Sequence, residues 1–193
     1  RVIHLVRDGR DVAESTARIP IGPSSMLAIA RRWNRYMTVL REAATRLPPD
    51  QFLEIRFEAL VRDPAAARRQ VLAFIGESDA PETAGAAALP QTATRDRALG
   101  FPHHASLRSA ITAAKIGVFE PAFSPRQIEL FEAVAGDSLS AFGYPRRFPR
   151  PRPPTRREEL AAALEDHTLR YLRKFRHPGA RRQIAKELRL ALQ

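Results

Sequence analysis

The first apolar cluster, Val2, Ile3, Leu5 and Val6, is too short for a helix and rich in β-formers, so it predicts a short buried strand. Arg7, Asp8, Gly9 and Arg10 follow as a tight polar turn. Asp11 is placed as an N-cap, its carboxylate accepting from free amides, with a helix continuing from Val12 to Ile19. Pro20, Gly22 and Pro23 break that helix, and Ser24 or Ser25 caps another running to about Leu47. Its apolar positions Leu27, Ile29, Ala30, Trp33, Met37, Leu40 and Ala44 recur at spacings of three and four, which makes one buried face. Arg31, Arg32, Arg35 and Arg41 are left for solvent, and Pro48-Pro49 ends the helix.

A second strand is expected from Phe52 to Phe57. Asp63-Pro64 then starts a helix, with an acidic cap and proline at the first helical position, whose core-facing residues are Val71, Leu72, Phe74 and Ile75 before Gly76 stops it. Alternation of strand and helix indicates a parallel sheet covered by helices. Residues 77 to 114 are rich in Gly, Ala, Pro and Thr and show only a weak helical pattern around Glu82 to Leu89, which suits a lid or substrate loop. Ser124-Pro125-Arg126-Gln127 is a capping box, and Ile128, Phe131, Val134 and Ala135 supply the apolar face behind it. Leu139 and Phe142 carry that pattern through Gly136 to Gly143.

Pro145 to Pro154 holds five prolines and four arginines and reads as an extended linker. Beyond it, Thr155 with Glu158 opens a helix striped by Leu160, Leu164, Thr168, Tyr171, Leu172 and Phe175. Pro178 starts a last one bearing Ile184, Leu188 and Leu192. The organisation is therefore a main domain over 1–145, a linker over 146–154 and a basic helical extension over 155–193. The extension is expected to pack on the main domain, with pairing to another chain or lying on an acidic surface as the alternatives.

Net charge is +11, but residues 1–145 contribute only +2 and residues 146–193 contribute +9, so the tail owns the charge. Of the 32 basic residues 29 are Arg, a bias that a GC-rich genome explains as well as a binding role does, and no interleaved basic and aromatic pattern accompanies it. Nucleic acid is accordingly not the expected partner. The absence of cysteine excludes disulfides, thiolate metal sites and a cysteine nucleophile, and no metal is expected. No apolar run is long enough to span a membrane, and a cytoplasmic location is the expectation.

The candidate chemistry lies at the first strand's end. In an open α/β sheet ligands bind at the carboxyl ends of the strands, which puts Arg7 at the crevice edge and Ser15 inside the next helix. A guanidinium fork matched to phosphate oxygens would converge there with a neutral hydroxyl donor. His4-Leu5-Val6-Arg7-Asp8 does not make a kinase catalytic loop, which needs adjacent His, Arg and Asp and an Asn where Ala13 stands.

Arg7-Asp8-Gly9-Arg10-Asp11-Val12-Ala13-Glu14-Ser15 resembles the 3′-phosphate-binding segment of sulfotransferases that use 3′-phosphoadenosine 5′-phosphosulfate (PAPS), with Gly9 where Pro is common. Two further segments are similar in order. Phe52 to Pro64 resembles the family's strand and Tyr-Glu-Asp-Leu stretch, with Phe57 and Ala59 as departures. Lys115-Ile116-Gly117-Val118-Phe119, Ser124-Pro125 and Gly143-Tyr144 resemble its C-terminal end, where Trp is commoner than Phe119.

The resemblance implies a partial P-loop-NTPase-like parallel sheet flanked by helices, with a helical C-terminal extension. It implies transfer of a sulfuryl group from PAPS to a hydroxyl or amine, releasing 3′-phosphoadenosine 5′-phosphate (PAP), on a small-molecule, carbohydrate or protein acceptor. Arg7 and Ser15 are then the 3′-phosphate ligands, with Lys115 and Arg108 as further candidates, and Phe57 forms an apolar wall near the nucleotide. Trp33 on adenine is the alternative to Trp33 in the core. Arg56 faces either the donor or an acid such as Glu58, and His103 and His104 lie in a loop.

No catalytic base is nominated. The phosphosulfate loop is not found: none of Lys115, Lys174 and Lys186 follows a glycine, and no Gly-x-x-x-x-Gly-Lys occurs. The chain is therefore read as the C-terminal portion of a longer product. A non-catalytic PAP-binding remnant and an Arg-rich nucleic-acid module are the competing readings.

Overall fold

The computed structural model describes residues 1–18, 23–78 and 112–176, with side chains described up to residue 166. Two strands, β1 (Val2–Val6) and β2 (Phe52–Arg56), pair in parallel with Val2 opposite Phe52 and Val6 opposite Arg56. The crossover between them carries helices α1 (Gly9–Ala17) and α2 (Met26–Arg46), as the alternating pattern required. After β2 come α3 (Phe57–Arg62), α4 (Pro64–Ile75), a single 3-10 turn (Ala113–Lys115), the short α5 (Phe119–Ala122), α6 (Pro125–Ala141) and α7 (Arg156–Arg176). The helical pattern around Glu82 to Leu89 and the helix expected after Pro178 lie outside the described residues.

The core is built by α2 against α6. Ile29, Ala30, Trp33 and Met37 meet Phe131, Ala135 and Leu139, and Val6, Ala13, Phe142 and Tyr144 close the cluster. Trp33 and Phe131 stand 5.8 Å apart between ring centroids, so Trp33 is a core residue, not an adenine platform. The first turn of α1 runs directly over this pair: a Cβ on Gly9 would come within 2.6 Å of both rings. Glycine is therefore needed at position 9 for close approach.

Several expectations change. β1 is not a buried strand: His4 and Val6 are covered, whereas Val2, Ile3 and Leu5 are exposed because no described element lies over them. β2 ends at Arg56, and Phe57 already belongs to α3. In α4 the fully buried residue is Ala67, while Val71, Leu72 and Phe74 are half-buried and Ile75 is exposed. Gly76 does stop that helix, in the left-handed conformation at φ 88°. The capping box at Ser124 and Gln127 forms as read, and Gly136 lies within α6.

Among the described side chains of α7, the stripe residues Leu160 and Leu164 do not face the body of the protein, and the rest of the stripe lies outside the described side chains. Leu160 and Leu164 are 65% and 67% exposed; the docked face carries Ala162, which joins Leu27 and Leu130, and Asp166. Asp166 accepts from the backbone amides and hydroxyls of both Ser24 and Ser25 at 2.7 to 3.2 Å, and Arg31 forks onto Glu159 at 2.5 and 2.7 Å. Polar fastening outweighs the stripe because Asp166 satisfies the free amides at the start of α2. The stretch before α7 is pinned similarly. Buried Glu129 holds Arg152 and Arg126, and buried Glu132 accepts from the Arg147 and Phe148 amides.

Candidate functional site

Arg7 leaves the end of β1 with its guanidinium 4.7 Å from the centroid of the Phe57 ring. Its Nη2 donates to the Lys115 carbonyl at 2.5 Å and stands 3.9 Å from the Asp11 carboxylate. The Nε is buried and has no partner among the described residues. A charged donor left unmatched in that way is ready to bind an anion, since an unmade bond to a buried cation is costly.

The cap of α1 is Asp8, not Asp11. Asp8 Oδ1 accepts from the Arg10 amide at 2.9 Å, because the helix begins at Gly9, three residues before the expected start. Asp11 is instead buried on α1, where its carboxylate accepts from the Gly117 amide at 2.9 Å and the Phe119 amide at 3.1 Å. Burial pushes its pKa up; those two bonds and Arg7 oppose the rise, and neighbouring Asp8 adds to it. The segment carrying Lys115 is thus clamped to the helix carrying Ser15.

Ser15 sits one helical turn beyond Asp11, exposed, with no hydroxyl partner among the described residues. Arg7, Asp11 and Ser15 are spaced by four, so Asp11 and Ser15 share one face of α1. Lys115 is brought to Arg7 through its carbonyl, and its side chain is exposed. Arg108, His103 and His104 lie outside the described residues. Phe57 is the wall beneath Arg7, and Arg56 takes the acidic alternative, 3.8 Å from Glu58 and over the Tyr144 ring at 4.5 Å.

Beneath the turn is an ionic cluster that local sequence patterns did not show. Arg10 is buried, paired bidentately with Asp8 at 2.7 and 3.0 Å and with Glu132 at 2.6 Å, and covers the Phe119 ring at 4.4 Å. Glu58 accepts from the Asp8 amide at 3.2 Å and the Tyr144 hydroxyl at 2.9 Å. Burial, reinforced by the Glu58 charge, pushes the Tyr144 phenol well above its ordinary range. These contacts join residues 86 and 122 positions apart, beyond the reach of helix or strand periodicity. The one available signal was a Glu at position 132 on the apolar side of α6.

A cleft of about 500 Å³ opens beside this cluster, between the ends of β1 and β2 and the stretch after α6. Neither Arg7 nor Ser15 lines it. Among the described residues no group of His, Cys, Asp and Glu is arranged to hold a metal, and no helix is long and apolar enough to cross a membrane.

The described residues form a mixed α/β structure in which a parallel strand pair ends in Arg7, with its Nε unpartnered, and the following helix carries the exposed Ser15. Residues 1–81 match the model of the sulfotransferase family. No curated protein and no solved structure matches the chain.

Proposed function

We propose that this chain supplies the 3′-phosphate-binding half of a PAPS-dependent sulfotransferase with a P-loop-like sheet. The observation that carries the reading is the buried, unpartnered Nε of Arg7, on a guanidinium already oriented by the Lys115 carbonyl and the Phe57 ring. The fork is held before any ligand arrives, which lowers the ordering cost of binding. Ser15 adds a neutral donor from α1, and Lys115 an exposed ammonium from the clamped segment. Phe57 supplies apolar surface where a phenol would have offered a hydroxyl.

The reaction is transfer of the sulfuryl group from PAPS to a hydroxyl or amine of a small molecule, carbohydrate or protein, with PAP leaving. These residues bind and orient the donor; the transfer depends on positioning and charge stabilisation. Arg7 and Ser15 distinguish a 3′-phosphorylated nucleotide from an ordinary one.

Calorimetry of the chain with PAP and with AMP tests this. One charge-assisted contact is worth about 1.5 to 3 kcal/mol, so PAP should bind at least about tenfold more tightly than AMP. Arg7→Ala should erase the difference. Equal affinities for the two nucleotides, or a preference that survives Arg7→Ala, would overturn the reading.

A further inference from the structure

The 500 Å³ cleft is lined by nine charged side chains, five arginines and four acids, and the acids are almost all spent internally. Asp8 is held by Arg10, Asp11 by two backbone amides, and Glu58 by the Tyr144 hydroxyl and the Asp8 amide. Arg10 is neutralised by Asp8 and Glu132, and Arg146 pairs with Asp137 at 2.7 Å. What remains is unequal. Arg62, at the end of α3, and Arg147, after α6, are exposed and have no ion-pair partner among the described residues. Arg56 lies 3.8 Å from Glu58 and over the Tyr144 ring, and among the described residues Glu120 is the lining acid with no ion-pair partner.

We propose that this cleft is a second anion-binding site, distinct from the Arg7 and Ser15 surface, that takes the phosphate or sulfate group of a small ester. Arg62 and Arg147 are its principal ligands and Arg56 is its third. Arg56, Arg62 and Arg147 come from three different parts of the chain and all line this one hollow. Guanidinium forks match tetrahedral oxyanions, and paired forks favour a dianion over a monoanion. The aromatic faces of Phe119 and Tyr144 are covered by Arg10 and Arg56, so the cleft offers charge and not a stacking surface. This proposal does not depend on the sulfotransferase reading.

The test is titration of the whole chain with glucose 6-phosphate and with glucose 6-sulfate, followed by calorimetry and by the guanidinium NMR signals of arginine. Saturable binding of either ester is expected, and removing each guanidinium should weaken it about tenfold, the size of a charge-assisted bond. Arg62→Ala with Arg147→Ala should therefore abolish it. Arg7→Ala with Ser15→Ala should leave it intact. Arg62, Arg147 and Ser15 are exposed and Arg7 is half-buried, so unchanged circular dichroism is required of both double variants. Tighter phosphate binding assigns a dianionic ligand and tighter sulfate binding a sulfate ester. Absence of saturable binding, survival in Arg62→Ala with Arg147→Ala, or loss in Arg7→Ala with Ser15→Ala would each overturn the proposal.

Discussion

The Arg7 guanidinium and the Lys115 carbonyl meet at 2.5 Å across 108 positions of sequence. That bond fixes the arginine at the end of β1 from outside its own strand, turn and helix. It is possible because Asp11 holds the Gly117 and Phe119 amides, so that the late segment is threaded against α1.

Replacing Asp11 by Ala should release that segment. Two amides lose their acceptor, each leaving a penalty of about 1 to 3 kcal/mol where it stays dry. Thermal unfolding should fall accordingly, and hydrogen exchange at Gly117 and Phe119 should accelerate. Unchanged protection at those two amides would show that the clamp is not Asp11.

Gly9→Ala should destabilise the protein by about 1 to 3 kcal/mol, the usual range for overpacking a filled core. The methyl has nowhere to go: it collides with the Trp33 and Phe131 rings, both buried. A chemical denaturation midpoint equal to the parent's would contradict the close packing over Gly9. The resemblance marked position 9 only as one where Gly stands for a common Pro, and nothing local showed the rings beneath it.

How much was legible follows from the range of each interaction. Helix α2, its buried face from Leu27 to Met37 and the capping box at Ser124 were readable because periodicity and caps are local, whereas Leu40 is half-buried and Ala44, also expected on that face, is exposed. The β1 and β2 pairing followed from the alternation of elements. The α7 stripe misled. Leu160 and Leu164 have the spacing of a packing face, yet the helix is oriented by Asp166 on Ser24 and Ser25 and by Glu159 on Arg31, partners more than a hundred residues away. At the site, Arg7 and Ser15 were legible as residue types. The buried Arg10, Glu58, Glu132 and Tyr144 network was not, since nothing in a local pattern states which acid meets which base.

The attachment of α7 should be lost in acid. Arg152, through side-chain and backbone bonds, and Arg126 hold the Glu129 carboxyl down at about 2, against an ordinary value of 4.5. Arg126 and the Thr155 cap do the same for Glu158, also to about 2. A lowered folded-state pKa stabilises most above the unfolded value, and the gain fades as pH falls toward the folded one. Protection of the α7 amides should therefore be constant above about pH 5 and decline from there toward pH 2. A decline that begins near neutrality would point to groups other than these two glutamates.

Asp166→Ala should free α7 at neutral pH without unfolding the core. Its carboxylate accepts four bonds at the start of α2, and its pKa is lowered by those bonds against the opposing effect of burial. Proteolysis should cut within 156–176 in the variant while residues 1–78 keep their circular dichroism signature. Equal cutting rates in variant and parent would show that Ala162, the linker and the Glu158 and Glu159 ion pairs hold the helix without Asp166.

Cooperation between Arg7 and Ser15 is the central claim, and a double-mutant cycle on PAP affinity measures it most directly. Arg7→Ala, Ser15→Ala and the combined variant should show a coupling of about 0.5 kcal/mol or more, as for residues that share one partner. Additive losses would mean that the two side chains do not grip the same phosphate, and an affinity for PAP indifferent to both would contradict the account outright.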